Sequence, residues 1–353
     1  MGLSHLAIAN ALEHFNVVGM CDKSVIVGNV LSKYTKIPFY SEFDELLKIP
    51  GLQAILIATP TTTHEPLARK ALELGIHVFC EKPLTLKSED SSALAALAAE
   101  RGLVAQVGYH NRFIGTFGEV RRLLKTGAIG RISHIKAEAY GPVVLKEAKP
   151  TWRGKAGNGG GCLYDYAAHP LNLVNWYLGE TTAATGAILK SGFSAEVDDE
   201  VYASLGFAEG VTGQIAVNWS DPSVRKMTTR ITVWGTAGRI YADRQEIQVY
   251  LGDGATVPDG YSSGWTVKYI TELTPPISYY LRGEEYSAQL EAFGNAIASG
   301  ASDYENSFRS SAETDRTIEM IRESATSGGA TGRFAASAVV PRKSGLVGRL
   351  MGR

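Results

Sequence analysis

From residue 3 to residue 108 the apolar positions alternate between two rhythms. "HLAIANALEHF" (5–15), "EFDELLKI" (42–49), "HEPLARKALELG" (64–75) and the Ser-led "SEDSSALAALAAERG" (88–102) repeat at helical spacing. Between them stand short apolar runs that read as strands: "NVVGMCD" ending at Asp22, "QAILIATP" ending before Pro60, "HVFCEKP", and "VAQVGYH". Strands that are apolar throughout and separated by helices predict a parallel sheet covered on both faces. Ligands of such a sheet sit beyond the carboxyl ends of its strands. Asp22, the segment Thr59 to His64, Lys82 and the segment Tyr109 to Arg112 are therefore expected to converge on one crevice.

After about residue 113 the rhythm changes. "FGEVRRLLKTGAIG" is a helix closed by glycine, "RISHIKAEAYG" an alternating strand, and "GGGCLYDYAAHPLNLVNWYLG" a glycine turn feeding a helix. Then follow "TTAATGAIL", "EVYASLGFA", "TGQIAVNWS", "TTRITVWGT" and "GRIYADR", strand-like runs joined by turn residues, and the late helices "YSAQLEAFGNAIASG" and "RSSAETDRTIEMIRESA". The pattern predicts one large antiparallel or mixed sheet, helix-covered on one face and open on the other, and open faces commonly become subunit contacts. The expected division is a nucleotide-binding unit over 1–112, an α/β unit over 113–325, and a flexible tail over 326–353 rich in Gly, Ala and Ser.

Composition narrows the class. With 353 residues, 44% hydrophobic, and 35 basic against 36 acidic side chains, the chain is an ordinary globular protein with no charge excess to recruit nucleic acid or a membrane surface. Its three cysteines, Cys21, Cys80 and Cys162, are scattered and follow no metal spacing, so reduced thiols in the cytoplasm are expected, with neither zinc nor disulfides. No apolar run approaches a membrane span, and the opening residues lack the pattern of a signal peptide.

Two short motifs carry candidate chemistry. In "CEKP" a lysine stands at a strand's carboxyl end, where it projects into the expected crevice or simply pairs with Glu81 on the surface. In "GGGCLYDYAAH", Asp165 and His169 are four apart and share a helix face, as a base with its orienting partner or as a helix-stabilising pair. Pro170 directly after His169 lacks an N–H and disturbs that helix.

Taken in order, "ATPTTTHEPLARKALELGIHVFCEKPLT", "QVGYHNRF", "LLKTGAIGRI" and "GGGCLYDYAAHPLNLVNWYLG" resemble the Gfo/Idh/MocA family of sugar and inositol oxidoreductases over nearly the whole chain. The resemblance implies a Rossmann domain, an α/β domain with an open sheet, and assembly into homodimers or homotetramers. It implies NAD, with NADP possible, and a carbohydrate-like substrate (sugar, inositol or nucleotide sugar) oxidised at a secondary alcohol or reduced at a ketone. The family's catalytic lysine, aspartate and histidine fall on Lys82, Asp165 and His169. Lys82 would favour the alkoxide-like oxygen, His169 would act as general base, and Asp165 would hold a substrate hydroxyl and orient the imidazole. The cofactor site would draw on Gly2, Asp22, Lys23, Thr59, Pro60, His64, Glu81, Lys82 and Asn111. Asp22 ends the second strand of the family pattern, where a carboxylate accepts from a ribose hydroxyl and repels a 2′-phosphate, which favours NAD. Tyr140, Trp152, Arg153 and Asn218 are candidate substrate contacts, through aromatic stacking and polar groups.

One part of the family pattern is missing. Gly2 matches the last glycine of the GxGxxG turn, but the first strand and the other two glycines do not precede it in this chain. About 9 to 12 residues upstream, a short strand and a glycine turn, are expected to supply them. Two rival readings follow from the same residues: a non-catalytic sensor of sugar or dinucleotide, and a cofactor-retaining glycosidase.

Overall fold

In a computed structural model that describes residues 1–146 and 152–327, the first third of the chain forms parallel ladders. β1 (Met20–Cys21) pairs with β2 (Phe39–Tyr40), and β3 (Ala54–Ile57) pairs with β4 (His77–Cys80), which pairs with β5 (Ala105–Val107). The connecting helices are α1 (Gly2–Ala11), α2 (Val25–Thr35), α3 (Phe43–Leu46), α4 (His64–Glu73) and α5 (Ser88–Glu100). Among the described residues no ladder joins β1 to β3.

The local chemistry explains these elements. α4 buries Ala68, Ala71 and Leu72 on one stripe while its charged residues face out. The expected serine cap of α5 is replaced by a tertiary one. Ser88 is the first helical residue, and its N–H and hydroxyl both donate to Glu319, at 2.9 and 2.5 Å. A carboxylate at that end also complements the helix dipole. α2 escaped the pattern because Val25, Ile26, Val27 and Val30 are exposed and Gly28 alone is buried. A Cβ at Gly28 would meet the Phe39 ring at 2.0 Å, so the missing side chain is what lets the helix seat.

The second unit runs α6 (Gly115–Lys125), β6 (Ile132–Tyr140), α7 (Ala168–Leu178), β7 (Ala183–Lys190), β8 (Glu200–Gly206), β9 (Thr212–Asn218), β10 (Thr228–Gly235), β11 (Gly238–Asp243), β12 (Glu246–Leu251), β13 (Gly264–Tyr269), α8 (Ile270–Leu273), α9 (Glu284–Ser299) and α10 (Phe308–Thr326). Its eight-stranded sheet has the order β13-β12-β11-β10-β6-β9-β8-β7, antiparallel except where β6 meets β9. Ile135, Ala137, Ala139, Ile215, Val217, Ile231 and Val233 form the buried face, packed with Phe117, Val120 and Leu123 of α6 and Leu171 of α7. The opposite face is uncovered: Tyr250 and Trp265 stand there 41% and 57% exposed. β12 and β13, not expected from sequence, complete that edge.

α9 returns to the first unit. Leu290, Phe293 and Ala296 pack with Ile8 of α1 and Leu12 just after it, with Phe79 of β4 and with Val104. α10 likewise lies along α5. All three cysteines are free, Cys80 and Cys162 being buried. Among the described residues no helix is long and apolar enough to cross a membrane, and no group of His, Cys, Asp or Glu could hold a metal ion. The expected tail lies outside the described residues from 328 onward.

Candidate active site

The end of β4 and the start of α7 supply the central contact. Lys82 follows β4 by two residues, and its Nζ donates to Asp165 twice, to Oδ1 at 2.8 Å and to the main-chain oxygen at 2.7 Å. Residues Leu163–Ala167 form a π-helical turn that runs directly into α7, and the lysine ammonium bonds both the main chain and the side chain of Asp165 within it. Arg153 Nε donates to the other carboxylate oxygen, Oδ2, at 2.9 Å. Burial alone would raise the Asp165 pKa, but Lys82 and Arg153 outweigh it and hold the carboxyl below its ordinary value.

The π-turn is itself held. Asp198 accepts the Leu163 N–H on its carboxylate at 2.7 Å and the Cys162 N–H on its carbonyl at 2.8 Å. Gly161 sits beside it at φ +109, where an added Cβ would lie 2.6 Å from Asp198 Oδ1. Here glycine is required both for its backbone angle and for the close approach.

His169 is buried one turn further along. Its ring stands edge-on to His110 at 4.8 Å and to Tyr109 at 6.2 Å, and Nδ1 has no hydrogen-bond partner among the described residues. Asp165 accepts no hydrogen bond from His169 Nδ1 among the described residues, and ring packing holds the imidazole. Burial first, with the neighbouring Lys82 charge, holds the His169 pKa well below 6.5, so the ring is neutral at pH 7. The strand-end residues thus bring Lys82, Asp165, His169 and Arg153 into one cluster, with Tyr109 and His110 behind it.

The remaining candidates divide. Asp22 is exposed at the end of β1 and accepts the Ser24 N–H at 2.7 Å; Lys23 beside it is also exposed. Thr59 and Pro60 are exposed at the end of β3. Gly2 opens α1 next to Ala58, where an added Cβ would make only ordinary contact at 3.8 Å. His64 is not open to a ligand. Its Nε2 lies 2.9 Å from the Thr59 carbonyl and its Nδ1 3.0 Å from the Pro83 carbonyl, so the buried ring is wedged between the two loops and its one N–H donates to one of them. Glu81 is likewise turned inward, with His5 Nε2 2.6 Å away and the Lys82 N–H at 3.2 Å. Asn111 spends its amide on Thr229, at 3.4 Å, tying the two units together. Arg112 leaves the crevice altogether to bond Asn172, at 2.7 Å.

Tyr140 and Asn218 are cross-strand partners in the β6/β9 ladder. Both follow buried neighbours, Ala139 and Val217, so alternation puts them on the open face, away from α7. Tyr140 donates to Glu138 there at 3.0 Å, and Asn218 Oδ1 accepts the Ser220 N–H at 2.6 Å. The two-residue period thus sets Tyr140 and Asn218, both expected as substrate contacts, on the other face of the sheet from α7. The Trp152 side chain lies outside the described part of the chain. Sequence reasoning missed His5, whose only signal was its place near Gly2 at the start of α1, and included His110 only as part of the segment Tyr109 to Arg112.

The donor set fits a dinucleotide at its ribose and nicotinamide ends. An exposed carboxylate at Asp22 can accept ribose hydroxyls, the Thr59–Pro60 backbone is open to contact, and Lys82 supplies a cation beside the neutral His169.

The comparisons with known proteins agree with this geometry. Residues 1–109 match the oxidoreductase family with an NAD-binding Rossmann fold, and residues 117–241 match the GFO/IDH/MocA C-terminal domain. The scyllo-inositol 2-dehydrogenase (NAD(+)) of Bacillus subtilis is 31% identical over 254 residues, 69% of this chain and 70% of that protein. The levoglucosan dehydrogenase of Pseudarthrobacter phenanthrenivorans is 26% identical over 294 residues, 74% of this chain and 75% of that one. A solved levoglucosan dehydrogenase, in complex with NADH and levoglucosan, superposes with a TM-score of 0.80 at 23% identity, covering 92% of this chain and 93% of that chain, and shares the fold. Two matched domains in chain order, together with a relative at that identity over more than two thirds of its length, mean that this chain belongs to the Gfo/Idh/MocA family of NAD-binding oxidoreductases.

Proposed function

We propose that this oxidoreductase moves a hydride between NAD and a secondary alcohol or ketone of a sugar or inositol, with Lys82, Asp165 and His169 as the reacting group's protein contacts. The observation that carries the assignment is the Lys82–Asp165 contact, with the neutral His169 one turn on. A dinucleotide bound here supplies the hydride acceptor or donor, the nicotinamide ring. Lys82 Nζ donates to the substrate oxygen and steadies the negative charge that grows on it as the C–H bond breaks. His169 takes the hydroxyl proton in oxidation and returns it in reduction. Asp165, held ionised by Lys82 and Arg153, accepts from a neighbouring substrate hydroxyl, which is the property a polyol offers in abundance. The substrate names of the relatives, inositol and levoglucosan, support a polyhydroxylated ring.

Two further readings attach to the same proposal. The open sheet face, with Tyr250 and Trp265 exposed in ring contact at 5.3 Å, supports a homodimer or homotetramer built across it. The unpaired cysteines fit the cytoplasm.

The test is NADH formation at 340 nm over a panel of inositols and neutral or acidic sugars. Lys82→Ala and His169→Ala should each lower kcat by about a hundredfold or more on the accepted substrate while NADH binding persists. Near-normal turnover by His169→Ala would remove it from the proton step. A bound cofactor with no net NADH formation on any substrate would favour the sensor or the cofactor-retaining glycosidase.

A further inference from the structure

Behind Lys82 lies a polar pair that the hydride-transfer chemistry does not use. His5, on α1, is 2% exposed, and Glu81 is 13% exposed. The His5 Nε2 to Glu81 Oε1 distance is 2.6 Å, in the range of a charge-assisted hydrogen bond. The other Glu81 oxygen accepts the Lys82 N–H at 3.2 Å. The carboxylate is fixed on its remaining side by Gly108, where an added Cβ would stand 3.2 Å from it. His5 Nδ1 is buried without a partner, and its ring packs edge-on to Phe79 at 5.2 Å. An unpaired buried lone pair costs less than an unpaired buried N–H, so the ring proton belongs on Nε2, pointing at Glu81. Burial would raise the Glu81 pKa, but His5, Lys82 and His110 together outweigh it and keep the carboxyl ionised.

We infer that His5 and Glu81 are positioning residues: a buried pair, contributed by α1 and the end of β4, that fixes the Lys82 peptide and with it the root of the lysine side chain. This rests on the assignment of Lys82 to the reacting oxygen. The charged and titratable groups around Lys82 are Asp165 and Arg153 from the α7 side, His169 from α7, and Glu81 from its own loop; around Glu81 they are His5, Lys82 and His110.

The experiment is amide hydrogen exchange of the full-length protein without cofactor or substrate, read at the Lys82 N–H by fragmentation mass spectrometry with the Val107 amide of β5 as internal reference. Glu81→Ala removes the acceptor of the Lys82 N–H and should speed its exchange by about tenfold or more while Val107 is unmoved. His5→Leu should speed it in the same way, and His5→Gln, which retains an N–H donor for the carboxylate, should restore most of the parental protection. An unchanged Lys82 amide in Glu81→Ala, or equal effects of His5→Leu and His5→Gln, overturns the inference. Because the readout needs no substrate, it is independent of turnover: a fully active Lys82→Ala enzyme would remove the catalytic assignment and leave the exchange result standing.

Discussion

His110 stacks on Tyr286 at 4.7 Å and meets His169 edge-on, and burial pushes its pKa down to about 4 against Glu285 and Glu81, which pull it up. A histidine whose folded pKa lies below its unfolded 6.5 binds fewer protons folded than unfolded between those values. Its contribution to stability is therefore complete above pH 6.5 and lost as pH falls toward 4, a loss on the order of 3 kcal/mol. Asp315 opposes it in the same window, because burial raises its pKa to about 7 and it destabilises the fold as pH rises. The parental profile mixes the two, so the clean measurement is a difference. His110→Gln should gain stability relative to the parent as pH drops from 6.5 to 4.5 in urea titrations. A constant difference across that range would mean that the His110 pKa is not depressed.

At the scale of elements, the π-turn at Leu163–Ala167 decides whether Asp165 faces Lys82, and Asp198 holds its first N–H groups. Asp198→Ala leaves the buried Leu163 N–H unpaired, which should cost about 1–3 kcal/mol in denaturant unfolding. It should also lower kcat well beyond any loss of NADH affinity, because the turn carries Asp165 and not the nucleotide; equal losses in both would make the effect general. The sequence displayed the ends of this arrangement but not its middle. The apolar runs of β3, β4 and β5 and the stripes of α4 and α10 were legible because burial and spacing coincide there. α2 was not, since its apolar residues are exposed. β12 and β13 were not, since "QEIQVYLG" and "GWTVKYI" mix polar and exposed aromatic positions on an edge. Lys82, Asp165 and His169 were readable as a set, whereas the contact between Lys82 and the Asp165 carbonyl depends on a helix register that a residue string does not display. The face that Tyr140 and Asn218 occupy was not weighed from sequence, since residue type alone carries no parity.

Among the described residues one face of the large sheet is without cover, and its aromatic content sets a test of assembly. Tyr250 and Trp265 are directly paired across β12 and β13, and Tyr269, 55% exposed, lies on the same strand. Trp265→Asp combined with Tyr250→Asp places two charges on that face, and an interface that desolvates them should dissociate. The expected outcome is a shift to monomer mass by light scattering with the thermal transition still cooperative. An unchanged mass would place the subunit contact elsewhere or make the parent a monomer.

The return of α9 has a consequence for how the chain comes to be folded. The cluster of Ile8, Leu12, Phe79 and Val104 is closed by Leu290, Phe293 and Ala296. Phe293 is synthesised roughly 190 residues after Val104, a delay on the order of 10 to 40 seconds at typical elongation rates. Until then one side of the nucleotide-binding unit stays greasy and uncovered while the large sheet is still being made. The amino-terminal unit is thus first to be translated and among the last to be finished, and its ligand crevice, with His5 and Glu81 beneath it, is assembled only when the last third of the chain has come back to meet it.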